Sequence, residues 1–173
     1  MQPVLVPVHF LRMRPQNFPT LRLAQLAMLI HQSEHLFSKV LEVKDVKDVR
    51  QWLQVTAKDY WHYHYRLAEP SAYGPKKLGS SMIDNIIVNT IVPVLFAYGV
   101  FKKQEGYQTK AMQWLEQTEG ESNSITIGFK EMSLANQSAF DSQAYIELKN
   151  EYCNNRRCLE CAVGYSLLKK ESG

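Results

Sequence analysis

The chain has 173 residues, of which 45% are apolar and 21% charged, as in an ordinary soluble globular protein. Its 8 glycines and 7 prolines are too few for a collagen-like or low-complexity chain. A formal net charge of +3 argues against a protein that coats nucleic acid with its whole surface. The charge is uneven, because residues 1–33 contain three arginines and no acidic residue. We therefore expect a local basic site near the N-terminus.

The first third of the chain contains an arm and then helical patterns. Three prolines within residues 1–17 exclude regular helix and predict an extended arm. Apolar periodicity and capping signals predict four helices after the arm. They are expected from Pro19 to His31, from Ser33 to Leu41, after Asp45 and after the capping box at Thr56. Residues 66–79 hold two prolines and two glycines and are expected to form the main loop.

The longest apolar stretch, Ile83 to Phe101, predicts a central buried helix with a kink at Pro93. Its polar residues would be costly in lipid, so we expect a core helix and no membrane contact. Four of its apolar residues are expected to be buried: Ile87, Ile91, Val94 and Leu95.

Further helices are predicted over 108–117, over 125–132, from Ser138 to Leu148 and from about Arg156. The β-branched residues of 125–132 also suit a strand, but an isolated strand has no partner. We therefore predict an all-α protein of seven to nine helices, with a single compact domain over 18–173.

Three cysteines, Cys153, Cys158 and Cys161, form a candidate metal site. Thiolates bind zinc and iron–sulfur clusters, and the CxxC spacing lets two sulfurs reach one ion. Zinc needs a fourth ligand, which a histidine would have to supply. The alternative is three reduced thiols, two of them packed one turn apart in a helix. An odd, closely grouped set is unsuited to disulfides, and no secretory signal is evident, so we expect a cytoplasmic protein.

Arg12, Arg14 and Arg22 are the candidate residues for binding an anion or nucleic acid, since guanidinium groups bind phosphate and carboxylate. Arg156 and Arg157 join them if the fold brings the ends of the chain together. In the alternative interpretation, these arginines pair with acids elsewhere in the fold and hold the arm in place.

A polar stripe, Asp84, Asn85 and Asn89, interrupts the long apolar helix. Asn85 and Asn89 are four residues apart and therefore share a helix face. Buried polar groups need partners, so the stripe either braces a loop or lines a pocket. Asp84 is expected mainly to cap the helix.

Three strings resemble the C-terminal half of an uncharacterised bacterial family of domains of unknown function. They are RMRPQNFPTLRLAQLA at 12–27, SMIDNIIVNT at 81–90 and KNEYCNNRRCLEC at 149–161. Longer members of that family look similar, in a preceding region, to PD-(D/E)xK nucleases. The resemblance implies that any catalytic carboxylates belong to that region, and that this region is the partner of the chain.

The sequence contains no triad, P-loop, dinucleotide or paired-carboxylate signature. We therefore expect an accessory helical domain that binds a protein region or nucleic acid and is not an enzyme by itself. The alternative function is a metal- or iron–sulfur-dependent enzyme domain built on the three cysteines.

Overall fold

The computed structural model describes residues 9–10 and 12–170, with side chains as far as Ser166. The protein is 63% helical and 7% strand, which confirms the predicted all-α class. Its contacts divide the chain into two compact units, Met1–Ile86 and Ile87–Gly173. The boundaries predicted from the sequence, an arm over 1–17 and one domain over 18–173, remain a prediction.

Helices form most of each unit. The first unit contains α1 (Pro19–Gln32), α2 (Leu36–Glu42), α3 (Val46–Trp52) and α4 (Ser80–Ile86). The second contains α5 (Val92–Lys102), α6 (Glu105–Glu116), α7 (Ser124–Glu131), α8 (Ala139–Glu147) and α9 (Ala162–Lys170). A π-helical segment, Ile87–Ile91, joins α4 to α5, so these two count as one continuous helix. Counted in this way, the described residues hold eight helices, within the predicted range of seven to nine.

Short strands replace one predicted helix of the first unit. They are β1 (Thr56–Ala57), β2 (His64–Arg66), β3 (Glu69–Pro70) and β4 (Lys76–Lys77). β1 pairs with β4 and β2 with β3, both antiparallel. The helix predicted after Thr56 is therefore wrong: Asp59–Tyr63 form a 3₁₀ turn that begins at a left-handed Asp59 with φ of 51°. That backbone conformation does not start an α-helix, and the aromatic residues that follow suit a strand.

The π-helical segment accommodates Pro93, the residue expected to kink the long helix. Proline has no N–H, and its ring clashes with the carbonyl four residues earlier, so a wider turn just before it relieves both problems. Ile87 and Leu95 are fully buried, as predicted, and Ile91 is half-buried. Val94 is 48% exposed, so the prediction for it is wrong, because the helix buries one face and not its whole circumference.

The continuous helix Ser80–Lys102 is long and apolar enough to cross a membrane by length and composition alone. Within its most apolar window, 33% is buried inside the protein. Core helices of soluble proteins share this length and composition, so neither property assigns the helix to a membrane.

Gly99 sets the distance between α5 and α6. A Cβ atom at this buried position would lie 2.9 Å from Gln108 Cγ and 3.0 Å from the Gln108 backbone nitrogen. Both distances are shorter than ordinary van der Waals contacts, so a side chain here would force the two helices apart.

We expect Gly99→Val to lower the free energy of unfolding by about 1–3 kcal/mol, the usual cost of overpacking. Urea denaturation measures this change. Gly106 supplies the control, because it is exposed in α6 and has nothing within 4 Å of an added Cβ. Gly106→Ala should raise stability by up to about 1 kcal/mol. Equal stability of Gly99→Val and the wild type would contradict the close approach of α5 and α6.

The predicted capping box at the start of α8 is confirmed, and its Asp141 carboxyl has a shifted pKa. Asp141 Oδ2 accepts hydrogen bonds from the backbone N–H groups of Gln137 at 3.0 Å and Ser138 at 3.1 Å. The bond from Gln137, more than any other interaction, lowers the pKa of Asp141. Because the folded-state pKa is lowered, the stabilisation is present above the ordinary carboxyl pKa and is lost as pH falls through the folded value.

Asp141→Asn keeps an acceptor oxygen and removes the charge. We expect the variant to be less stable by about 0.5 kcal/mol at neutral pH, a small value because the carboxylate is near solvent. Thermal unfolding of both proteins over a pH series measures the difference, which should disappear in acid. A difference that stays constant down to the acid end would contradict this account.

Candidate functional site

Within the first unit, aromatic contacts join the segment that precedes α1 to Arg66 of β2. The rings of Phe10 and Phe18 meet edge to face with centroids 5.1 Å apart, and the Arg66 guanidinium lies within 5 Å of both. Pro15–Asn17 form a 3₁₀ turn, and Phe18 N–H donates to the Pro15 carbonyl at 3.2 Å. The described end of the predicted extended arm is thus a turn that leads into α1. Residues 1–8 and 11 of that arm lie outside the described residues.

Two adjoining cavities of about 750 and 670 Å³ lie beside this segment, and we call them together the basic cleft. They share Arg14, Asn17, Arg22 and Met82 in their walls. Five basic side chains line the cleft: Arg12, Arg14, Arg22, Lys76 and Lys77. No acidic residue of the described chain lines either cavity, so the cleft is suited to an anion.

Arg22 is positioned by neutral partners. Its Nη1 donates to Gln25 Oε1 at 2.9 Å and its Nη2 donates to Asn17 Oδ1 at 2.7 Å. Its Nε is buried and makes no hydrogen bond within the described structure. Burial lowers the pKa of Arg22, although a guanidinium stays charged in proteins. The side chain is therefore a fixed positive charge without a fixed negative partner.

Lys76 is the least exposed cation of the cleft, at 6%. β4 carries it: Ala57 pairs with Lys76 across the ribbon, and the buried Gln25 Nε2 donates to the Lys76 carbonyl at 3.1 Å. Its ammonium nitrogen lies 3.8 Å from the centroid of the Tyr65 ring. Among the described residues, no carboxylate lies within ion-pair distance of that nitrogen. The ammonium thus lies against an aromatic face and has no acidic partner among the described residues.

The start of α4 adds backbone donors to the same cleft. Ser80 and Ser81, its first two residues, line the second cavity. The first N–H groups of a helix have no acceptor within the helix, and the positive end of its dipole favours an anion.

The alternative interpretation, that the N-terminal arginines pair with acids elsewhere in the fold, finds no support in the described residues. There the arginine ion pairs are made by Arg50, Arg66 and Arg157. Arg12 and Arg14 are exposed and lie in none of these pairs.

The sequence alone does not identify Lys76 and Lys77 as site residues, because the prolines and glycines of residues 66–79 predict a loop. A signal was present: two adjacent lysines stand directly before a predicted helix start, with no acid between Pro70 and Asp84. The burial of Lys76 and its contact with Tyr65 depend on strand pairing, which no local pattern encodes.

The polar stripe of the long helix is divided among different roles. Asp84 Oδ1 accepts a hydrogen bond from Arg50 Nε at 2.7 Å, so it ties α4 to α3. The capping role expected of Asp84 remains a prediction. Asn85 is exposed and lines the second cavity of the cleft. Asn89 is exposed in the π-helical segment.

Arg156 and Arg157 belong to the second unit, and their grouping with the N-terminal arginines remains a prediction. Arg157 Nε donates to Glu160 Oε2 at 3.0 Å, and this bonding raises the pKa of Arg157. Arg156 has φ of 53° and turns the chain before α9.

The three cysteines lie in different environments. Cys153 is exposed and lines a cavity of about 400 Å³ with Phe129 and Lys149, Cys158 is exposed in a turn, and Cys161 is buried. No group of three His, Cys, Asp or Glu side chains in the described structure is arranged to hold a metal. This geometry does not support the predicted zinc or iron–sulfur site. The helix predicted from Arg156 begins only at Ala162, so the prediction that Cys158 and Cys161 stack in a helix is wrong.

Comparison with known proteins identifies a family and no activity. No curated protein and no solved structure matches the chain at a significant level. One family model matches residues 4–124, which include every residue of the basic cleft and the first two of the three resembling strings. The third string, at 149–161, lies outside the matched residues. The chain belongs to the family described as protein of unknown function (DUF2851).

Proposed function

We propose that this chain is an accessory domain that binds nucleic acid by its phosphates in the basic cleft. Lys76 carries this proposal, because it lines the cleft with a side chain that is only 6% exposed, and no carboxylate of the described residues pairs with its ammonium. A phosphate in the cleft would supply the missing charge. Arg22, with a buried and unbonded Nε, has the same need.

Several phosphates fit the cleft better than one. Its five basic side chains are spread over two adjoining cavities, whereas a single backbone phosphate carries one negative charge. Successive phosphates of one strand would place a charge near each cation. Contacts to phosphates carry no sequence information, so we expect binding to be nonspecific and weakened by salt.

An accessory role also agrees with the resemblance to longer proteins that have a nuclease-like region. A nonspecific cleft in the same protein would keep the nucleic acid bound while the nuclease-like region acts on it. The competing proposal is that the cleft is a contact surface for another region of the same protein, and it predicts no salt-dependent affinity for nucleic acid.

Fluorescence anisotropy with a labelled oligonucleotide tests the proposal. The exposed pair Arg12→Ala/Arg14→Ala is expected to weaken binding about tenfold at low salt, since each lost phosphate contact removes part of the affinity. The matched control is Lys39→Ala/Lys47→Ala, which removes two exposed charges of the same unit outside the cleft. An equal loss in both double variants, or no binding by the wild type, would overturn the proposal. The second outcome would favour the protein-contact alternative.

A further inference from the structure

We infer that the nucleic acid in the basic cleft is single-stranded, and that its bases stack on two exposed tyrosines, Tyr63 and Tyr73. This inference rests on the proposed function and adds the class of nucleic acid. The two side chains are 52% and 62% exposed, and their rings lie 5.2 Å apart at an angle of 53°. Large exposed aromatic rings beside a basic groove are the combination that single-strand-binding proteins use.

The two tyrosines form a supported platform. Ser71 N–H donates to the Tyr63 carbonyl at 2.6 Å, and Gly74 N–H donates to the His62 carbonyl at 3.0 Å. These bonds fasten the segment that carries Tyr73 to the segment that carries Tyr63. The Tyr73 and His62 rings also meet edge to face, with centroids 5.6 Å apart. Within the described residues, no hydrogen bond engages either tyrosine hydroxyl, and both residues keep more than half of their surface exposed.

The platform is close to the cleft along both segments. Tyr63 precedes Tyr65, a residue of the cleft wall, by two positions, and Tyr73 precedes Lys76 by three. An extended chain rises about 3.3 Å per residue, so each tyrosine lies within about 10 Å of the cleft along the backbone. Neighbouring nucleotides of one strand can therefore place a phosphate in the cleft and a base on the platform.

Tyr65 and Tyr60 are not equivalent to this pair. The Tyr65 ring faces the Lys76 ammonium at 3.8 Å, and the Tyr60 ring is covered by His64 in a stack of 3.8 Å. A duplex keeps its bases paired and stacked inside, so exposed tyrosine rings add nothing to its binding. The platform therefore favours a strand whose bases are free.

Anisotropy titrations with a labelled oligothymidine and with a labelled mixed-sequence duplex test the inference. Tyr63→Ala/Tyr73→Ala should lose about tenfold or more in affinity for the single strand, the effect of a lost base–aromatic stack, and little for the duplex. Tyr63→Phe/Tyr73→Phe keeps the rings and should bind like the wild type. Tyr165→Ala, which removes an exposed tyrosine of the second unit, is the matched control.

If the alanine pair fails to fold, photo-crosslinking of the wild type to an iodouracil-substituted single strand replaces it. Crosslinks at Tyr63 or Tyr73 are expected, and crosslinks at other residues alone would overturn the inference. Equal affinity of the wild type for both oligonucleotides, unchanged in the alanine pair, would overturn the inference and leave the proposed function standing. Failure of both oligonucleotides to bind would instead overturn the proposed function.

Discussion

Replacing Trp114 with alanine is expected to lower the free energy of unfolding by about 3–5 kcal/mol, the cost of emptying a large buried aromatic site. Trp114 is 1% exposed in α6, one turn after the fully buried Ala111. Thr118 Oγ1 donates to the Trp114 carbonyl at 2.8 Å, which fixes the end of the helix around it. Since the second unit is small, a cavity of this size removes much of its core.

Urea denaturation followed by circular dichroism measures the loss. Trp114→Phe is the control, because it retains an aromatic ring and should cost less than the alanine variant. A loss below about 1 kcal/mol for Trp114→Ala would contradict the buried placement of the ring, since such values are typical of surface substitutions.

Lys76→Met is expected to weaken oligonucleotide binding about tenfold or more, because a charge-assisted contact to phosphate is lost. The same change should leave the free energy of unfolding unchanged or raise it by up to about 1 kcal/mol. Methionine keeps the nearly buried aliphatic stem, whereas the ammonium that it removes has no acidic partner among the described residues, so no ion pair is lost. Opposite effects on affinity and stability distinguish a ligand-binding lysine from a structural one.

Lys77→Met is the control that removes the same charge from an exposed position. Lys77 is the neighbour of Lys76 in β4 and lines the same cleft. It should weaken binding less than Lys76→Met and leave stability unchanged. If Lys76→Met instead unfolds the first unit while affinity per folded molecule is retained, the lysine is a structural residue.

Elements with local start and stop signals were predictable from the sequence. α1 begins at Pro19, since proline suits the first helical position, and α8 begins after Ser138, whose capping box with Asp141 is present. The α7 segment was ambiguous between helix and strand, and the Asn123–Thr126 capping box explains why it is a helix.

Features that depend on distant contacts were not predictable. The region from Thr56 to Lys77 forms two small ribbons because Thr56 pairs with Lys77, a partner 21 positions away. The cysteine spacing suggested a metal site, but Cys161 is buried while Cys158 is exposed in a turn. In the basic cleft, the arginines were predictable because residues 1–33 contain no acidic residue. Lys76 could be recognised as a site residue only from its burial and its contact with Tyr65.

The salt dependence of single-strand binding by the wild type tests the central claim most directly. Anisotropy titrations over a series of sodium chloride concentrations give the slope of the logarithm of the association constant against the logarithm of salt concentration. Each phosphate contact with a single strand contributes about −0.7, so the five cations of the cleft predict a slope between about −2 and −4. A slope near zero, or no measurable binding at low salt, would contradict a phosphate-binding cleft.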